Sequence, residues 1–272
     1  MQGIRYAEHA PPPDLADRVE CIWTVRSAAP VAGVHLSRVL PDGCTDVVFN
    51  LGDPPLREGM PHHRLRSYVV GAMRRPLEVR MRGAVELVGV RFRPGGSAAF
   101  LPLPLAEITD AAVALSEVWG SLADELESRL PGASHAERVR IVEAALRERR
   151  GRGRPLHAAV ARACALIARS GGCVAVEALA AETGTSRRHL ERLFLEQVGL
   201  TPKTAARVAR FRRLCGLLPQ RPGAGWSRLA LECGYHDQAH MTREFRALSG
   251  LTPGAYHRER VASVQDGGAA GE

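Results

Sequence analysis

The sequence predicts an α+β protein in which a β-rich N-terminal region precedes an all-helical C-terminal domain. Short runs of β-branched residues, broken by Pro and Gly, fill residues 1–96. From about residue 156 to 260, apolar residues instead recur at helical spacing. A charged, glycine-rich stretch ending at residues 151–155 separates the two patterns and is the clearest linker. We therefore expect two domains, at 1–150 and 156–260.

The N-terminal region is expected to form a small β-barrel or sandwich with helices appended after residue 114. The expected strands are 19–26, 37–40, 45–51, 67–73, 77–82 and 86–93, and the expected helices are 115–119, 121–129 and 135–149. Alternation in the last strand places Arg91 and Arg93 on the face opposite the core. The expected core residues are Val47, Val48, Phe49, Val88, Val90 and Phe92. This core should enclose a ligand cavity or support a self-complementary dimer surface, and these alternatives remain open.

The C-terminal domain contains one pattern twice. Leu-Ala-x-Glu-x-Gly occurs at 179–184 and again at 229–234. Leu-Glu-Arg-Leu-Phe at 190–194 corresponds to Met-Thr-Arg-Glu-Phe at 241–245, and Gly-Leu-Thr-Pro follows at 199–202 and 250–253. Each copy indicates a short helix, a glycine turn and a longer amphipathic helix. This is the arrangement of a helix-turn-helix unit, whose second helix can enter the DNA major groove.

Local signals in each copy support this interpretation. Gly184 and Gly234 stand where the short helix must end, a position that often requires positive φ. Ser186 and Asp237 are suitable N-caps for the longer helices. Apolar residues recur at helical spacing in both long helices, at Leu190, Leu193, Phe194 and Val198 and at Met241, Phe245 and Leu248. The polar residues between them should face outward.

The segment 156–260 resembles the DNA-binding domain of AraC-type (AraC/XylS) transcription regulators, which carry two helix-turn-helix units joined by a long helix. The resemblance lies in the two Gly-Leu-Thr-Pro turns and in Leu-Glu-Cys-Gly-Tyr at 231–235. Residues expected to read base edges, because they match the family's base-reading positions opposite the apolar stripe, are Arg188, Glu191, Arg192, Gln238, His240 and Arg243. Residues expected to contact the DNA backbone are Ser186, Arg187, Arg207 and Arg210.

Charge and helix length agree with DNA binding. The net charge is +2 over residues 1–155 and +6 over residues 156–272, within a total of +8. Such a concentration of positive charge is typical of polyanion binders, although a solvated basic surface is an alternative. The expected helix at 202–218 would be about 25 Å long, enough to hold two recognition helices near successive major grooves. The Pro- and Gly-rich stretch 219–225 leaves the rigidity between the units open.

Several features limit the other function classes. No apolar run is long enough to span a membrane, and charges near Arg5 and Glu8 interrupt any signal-peptide core, so a cytoplasmic protein is expected. The tail 261–272 has a disordered composition. His35, His62 and His63 are possible metal ligands, but His62 and His63 are adjacent in a Pro- and Arg-rich loop without His-x-His spacing, so surface loop histidines are the expected alternative. The six cysteines form no Cys-x-x-Cys pair, which indicates reduced structural thiols and no metal site or cofactor.

The resemblance implies a sequence-specific transcription regulator that acts as an activator. It implies a binding protein and not an enzyme. Its partners would be double-stranded DNA and RNA polymerase, with a small-molecule effector and a homodimer left open and no membrane partner. The stretches at 39–46 and 88–96 resemble an uncharacterised sensor-type domain that precedes this DNA-binding domain in other regulators. The alternative is a DNA-bound enzyme, such as an alkylation-response protein with a cysteine acceptor. Cys44, flanked by Asp42 and Asp46, is the candidate nucleophile, and a buried structural cysteine is the competing interpretation.

Overall fold

The N-terminal region is organised around a six-stranded antiparallel sheet in the computed structural model, which describes residues 4–57, 66–218 and 225–259. The strand order in this sheet is β1-β2-β8-β4-β6-β9, and a second sheet has the order β3-β7-β5. The strands are β1 (Ile4–His9), β2 (Val19–Ser27), β3 (Val31–Val39), β4 (Thr45–Asn50), β5 (Leu56–Arg57), β6 (Ser67–Val70), β7 (Leu77–Gly83), β8 (Glu86–Phe92) and β9 (Ala112–Ala114). The α+β class is confirmed, with two sheets rather than a closed barrel.

The two faces of the six-stranded sheet have different coverings. One face presents the expected core residues, including Val47, Phe49 and Phe92, which are almost fully buried against the appended helices. These helices are α1 (Leu115–Trp119), α2 (Ser121–Arg129) and α3 (His135–Arg149), with the bounds that the sequence predicts. The other face presents Cys21, Trp23, Val48, Tyr68 and Leu87, and Leu77 of the three-stranded sheet packs against them. Val48 therefore belongs to this second layer, because alternate side chains on a strand point to opposite faces.

Residues 253–259, at the end of the described range, are helical, and six complete helices precede them in the described part of the C-terminal domain. They are α4 (Ala158–Arg169), α5 (Val176–Glu182), α6 (Arg187–Gln197), α7 (Pro202–Leu217), α8 (Trp226–Glu232) and α9 (Gln238–Ser249). Helices α5 and α6 form the first helix-turn-helix unit, α8 and α9 form the second, and α7 connects them. The two units have separate apolar cores, one built on α4 and the N-terminal half of α7, and the other on the C-terminal half of α7. Residues 219–224 and the tail 261–272 lie outside the described residues.

The β-rich region contacts both units and the connecting helix. Thr109 Oγ1 donates a 2.6 Å hydrogen bond to the carbonyl of Gly199, at the end of α6. Arg38 forms a 3.1 Å ion pair with Glu259, beyond the end of α9. Ala72 is buried in the core of the first unit, and Leu40 packs against the core of the second. Arg212 of α7 lies 3.5 Å from Glu20. The β-rich region is thus attached to the helical domain at three places, which are the two units and α7.

Candidate nucleic-acid interface

Both recognition helices begin with the side-chain caps that the sequence predicts. Ser186 accepts a hydrogen bond from the backbone N–H of His189 at 3.2 Å, and Asp237 accepts one from His240 at 2.6 Å. This backbone hydrogen bond, with a smaller contribution from His236, holds the pKa of Asp237 below its usual range. The preceding glycines, Gly184 and Gly234, adopt φ of 63° and 75°, the left-handed conformation that the turn requires.

Burial divides each recognition helix into two faces. Every residue of the two predicted apolar stripes is buried, including Leu190 and Phe194 of α6 and Met241 and Phe245 of α9. The polar residues between them are exposed or half-buried, except Gln197 near the end of α6, which is buried. Each helix is therefore held by its apolar side, which leaves a capped N-terminus and a polar face for a ligand. This is the geometry with which helix-turn-helix proteins reach base edges.

On α6, three of the four candidate residues have partners within the protein. Arg187 lies 2.9 Å from Glu177 and 3.0 Å from Glu191, so Glu191 already accepts a guanidinium. Arg192 donates to His189 Nδ1 at 3.2 Å and lies 3.6 Å from Glu196. Arg188 is exposed. These exposed pairs are weak and can exchange for DNA contacts, so the expected roles of the four residues stay predictions.

On α9, the candidate residues differ more in their surroundings. Arg243 is exposed, and Gln238 accepts a 3.1 Å hydrogen bond from the Ser227 hydroxyl of α8. The His240 ring lies edge-on to Tyr235, with centroids 5.5 Å apart. His240 is half-buried. Tyr235 lies in the turn before α9, and its ring therefore packs against the imidazole of His240.

The connecting helix carries two of the residues expected to contact the DNA backbone, and both have partners within the protein. Arg207 and Arg210 were expected to face phosphates, but both guanidinium groups bind Glu244 of α9. The distances are 2.7 Å from Arg207 Nε and 3.4 Å from Arg210 Nη2 to the carboxylate oxygens. Arg213, one turn further, lies beside Cys173 and Gly171. Glu244 was not among the expected site residues, and its spacing one turn after His240 is the sequence signal that points to it.

A half-buried ionic cluster surrounds Arg91 in the β-rich region, on the face of the sheet opposite the main core. Arg91 Nε is 3.3 Å from an oxygen of Asp42 and 3.3 Å from an oxygen of Asp46. Burial raises the pKa of Asp46 to about 7, although Arg91 acts in the opposite direction. Arg91 is on the face opposite the main core, as predicted, but the second sheet half-covers that face. It therefore needs the two carboxylates as partners.

Cys44 does not have the surroundings of a nucleophile. Its thiol is buried, and burial raises its pKa well above the usual value, with nearby Asp42 and Glu20 adding to the effect. Burial likewise raises the pKa of Cys21 to about 11. Reactive cysteines are thiolates with lowered pKa values, so these two thiols are unsuited to accept an alkyl group at neutral pH. The sulfur of Cys44 instead lies 3.5 Å from the Glu20 carboxylate as a structural hydrogen-bond donor.

Possible metal sites and membrane-crossing helices can be assessed for the described residues. Within residues 4–57, 66–218 and 225–259, no group of three or more His, Cys, Asp or Glu side chains is arranged to hold a metal ion. His35 lies on β3, while His62 and His63 are outside the described residues. None of the helices in these ranges combines the length and the apolar character that crossing a membrane requires.

A cavity of about 1070 Å³ lies between the β-rich region and the helical domain. Asp17, Glu20 and Asp42 line it on one side, and Ala165 of α4 and Arg212 of α7 line it on the other. Arg212 crosses the boundary, with its guanidinium 3.5 Å from Glu20 and a 3.3 Å hydrogen bond to the Asp42 carbonyl. The cavity is therefore next to the helix that joins the two units, and it lies outside the β core, for which a ligand cavity was one of the two alternatives considered.

Two families match separate parts of the chain. Residues 7–114 match a domain of unknown function (DUF6597), and residues 179–259, which include both units, match a helix-turn-helix domain. No curated protein matches the chain. The matches and the geometry define a DNA-binding transcription regulator with two helix-turn-helix units. The chain carries an AraC-type helix-turn-helix domain at its C-terminus, preceded by a DUF6597 domain.

Several solved structures are similar to the chain. The C-terminal domain of AraT, a response regulator from Geobacillus stearothermophilus, is 23% identical over 39% of this chain and 89% of that chain, with a TM-score of 0.37. An AraC-type transcriptional regulator from Chromobacterium violaceum is 27% identical over 36% of this chain and 88% of that chain, with a TM-score of 0.34. ToxT from Vibrio cholerae is 10% identical over 83% of this chain and 97% of that chain, with a TM-score of 0.46.

Proposed function

We propose that the protein binds a bipartite DNA site by placing α6 and α9 in adjacent major grooves of one duplex. The observation that carries this proposal is the repeated geometry of two capped helices, each buried on its apolar side and open on its polar side. Helix α7 has 16 residues and a length of about 24 Å, which suits two grooves on the same side of the double helix. One molecule could thus read two half-sites without dimer symmetry.

Footprinting on genome-derived sites tests this proposal. We expect strong protection over one half-site and weaker protection about one helical turn away. Inserting about 5 base pairs between the half-sites should remove the second protected region, because it rotates that groove to the opposite side of the duplex. If one isolated half-site binds as tightly as the pair, the bipartite proposal is wrong.

We also propose that the protein activates transcription through contact with RNA polymerase, in line with its resemblance to AraC-type regulators. Transcription in vitro from a mapped promoter, with purified polymerase and the full chain, tests the direction of regulation. Product should increase several-fold with the protein and not with an Arg192→Ala variant at the same concentration. A decrease in product would identify a repressor.

The N-terminal region is proposed to sense a small molecule at the cavity beside α7. Its position supports this role, because small-molecule sites occur preferentially at domain interfaces and Arg212 joins the two regions there. A thermal-shift screen of metabolites on the full chain should find a stabilising compound that also changes DNA affinity. Ala165→Trp, which places an indole ring in the cavity, should weaken both effects, whereas a compound that acts equally on this variant binds elsewhere.

A homodimer is the alternative role of the N-terminal region, and the exposed apolar side chains of Val34 and Leu36 on β3 favour it. Size-exclusion chromatography with light scattering on the full chain distinguishes the two forms. A dimer that becomes monomeric on Leu36→Lys would support this surface. A monomer at all concentrations would exclude it.

A further inference from the structure

Glu244 joins the second recognition helix to the connecting helix. Its side chain is only 13% exposed, and its two carboxylate oxygens accept separate hydrogen bonds from Arg207 and Arg210 of α7. The partners are also largely covered, with exposed side-chain fractions of 32% and 19%. Unlike the exposed pairs of α6, this arrangement is shielded from solvent, so its charges are screened less.

The same carboxylate lies close to a residue expected to read a base. His240 Nε2 is 3.7 Å from Glu244 Oε1, one helical turn back along α9. The Tyr235 ring supports His240 from another side, and the Arg210 guanidinium stacks over that ring at 5.4 Å. Arg210, Tyr235, His240 and Glu244 therefore form a continuous set of contacts from α7 to the polar face of α9.

Glu244 also changes the charge that the connecting helix can offer to DNA. A free arginine beside two recognition helices would attract phosphates of any sequence, and each phosphate contact releases counterions. With both guanidinium groups bound to a shielded carboxylate, Arg207 and Arg210 contribute less to this general attraction. Affinity then depends more on residues that face base edges.

We propose that Glu244 is a specificity-determining positioning residue. It withholds Arg207 and Arg210 from the DNA backbone and fixes the imidazole of His240 for base reading in the second half-site. This inference rests on the proposed bipartite DNA binding. It makes a prediction that structural damage would not produce, because removing the carboxylate should strengthen binding to random DNA.

The experiment compares the full chain with Glu244→Gln, and with Glu125→Gln as a control of equal charge change on an exposed pair of α2. For Glu244→Gln, affinity for random duplex DNA should rise several-fold. The slope of log affinity against log salt should steepen by up to about 1.8, the value for two added phosphate contacts. Preference for the second half-site sequence should fall several-fold, while Glu125→Gln behaves like the wild type.

A further variant separates the two effects of Glu244. Adding Arg207→Ala and Arg210→Ala to Glu244→Gln should return the salt slope to the wild-type value without restoring sequence preference. Unchanged or weaker binding of Glu244→Gln to random DNA would overturn the inference. If the wild type itself does not distinguish its mapped site from random DNA, the proposed function fails, whatever the salt slope of the variant.

Discussion

The two helix-turn-helix units share a scaffold and differ in how their charges are held. In both, a glycine turn, a side-chain cap and a buried stripe fix the recognition helix. The first unit has exposed arginines at 187, 188 and 192, with only surface partners. The second has Arg243 exposed, while Glu244 holds Arg207 and Arg210 of the connecting helix. A duplicated scaffold therefore does not imply duplicated DNA contacts, because the solvent-facing positions are free to change.

The largest expected effect is a loss of folding stability when a buried ring is removed from either of the two similar units. Phe194→Ala and Phe245→Ala each remove a fully buried ring and should lower the free energy of unfolding by about 3–5 kcal/mol. Phe245→Ala should lie at the upper end, because its ring also contacts Phe211 and Tyr256 edge-on. Urea unfolding of the full chain measures both. A loss below about 1 kcal/mol for one of them would show that its unit is not packed as described.

DNA affinity should fall by different amounts when an arginine is removed from the first unit and from the second unit. Arg192→Ala is expected to weaken binding to the preferred site by about 1–3 kcal/mol, roughly 5- to 150-fold, and to spare binding to random DNA. Arg243→Ala should have a smaller effect, because we expect the first unit to supply most of the affinity. Fluorescence anisotropy on both duplexes measures this. An equal loss on random DNA would assign Arg192 to a phosphate, and a larger loss for Arg243→Ala would reverse the order of the units.

The caps should contribute less than the cores. Ser186→Ala leaves the N–H of His189 without its side-chain acceptor and should cost about 1 kcal/mol of unfolding free energy. Ser186→Asp is the matched variant, since it restores an acceptor and adds a negative charge at the helix N-terminus. Denaturant midpoints should follow the order Asp, Ser, Ala. A midpoint for Ser186→Ala equal to that of the wild type would contradict a capping role.

Lowering the pH should produce the smallest of these effects on stability, because it should weaken the Asp237 cap and leave the Ser186 cap unchanged. The folded-state pKa of Asp237 is below its unfolded value, so its stabilisation is present above the unfolded pKa and is lost as pH falls through the folded pKa. Ser186 does not titrate in this range. We expect the thermal midpoint of the wild type to fall relative to Asp237→Ser between about pH 5 and about pH 3. A constant difference between the two proteins over this range would show that Asp237 does not cap as a carboxylate.

Much of the helical domain could be predicted from sequence because its signals are local. The turn glycines, caps and stripes each lie within a few residues of the structure that they determine, and the bounds of α1, α2 and α3 were predicted for the same reason. Most of the expected strands were close to those observed, but β3 begins at Val31, six residues before the expected start, and the two-residue strand β5 was not expected. Strand β1 was missed because its residues are mostly exposed and lack apolar alternation, and β9 because it has three residues.

The interactions that were missed are those between distant parts of the chain. Glu244 binds Arg207 and Arg210, which are 37 and 34 positions earlier, and Arg212 meets Glu20 across the domain boundary. Periodicity shows which face of a helix is polar but not which other element covers it. For the same reason the sequence does not show that Arg207 and Arg210 share an acidic partner on α9, or that Arg91 has two acidic partners.

The attachment of the β-rich region at three places also has a kinetic consequence. Strands β2 and β8 pair residues as far apart as Val19 and Phe92, and pairing over such distances in sequence is slow compared with helix formation. Helices α4 to α9 can form early, but Gly199 obtains its Thr109 partner and Arg212 its Glu20 partner only after the sheet is complete. A newly made chain should therefore acquire its final arrangement of recognition helices at the rate of sheet folding, and heating should unfold both regions in a single transition.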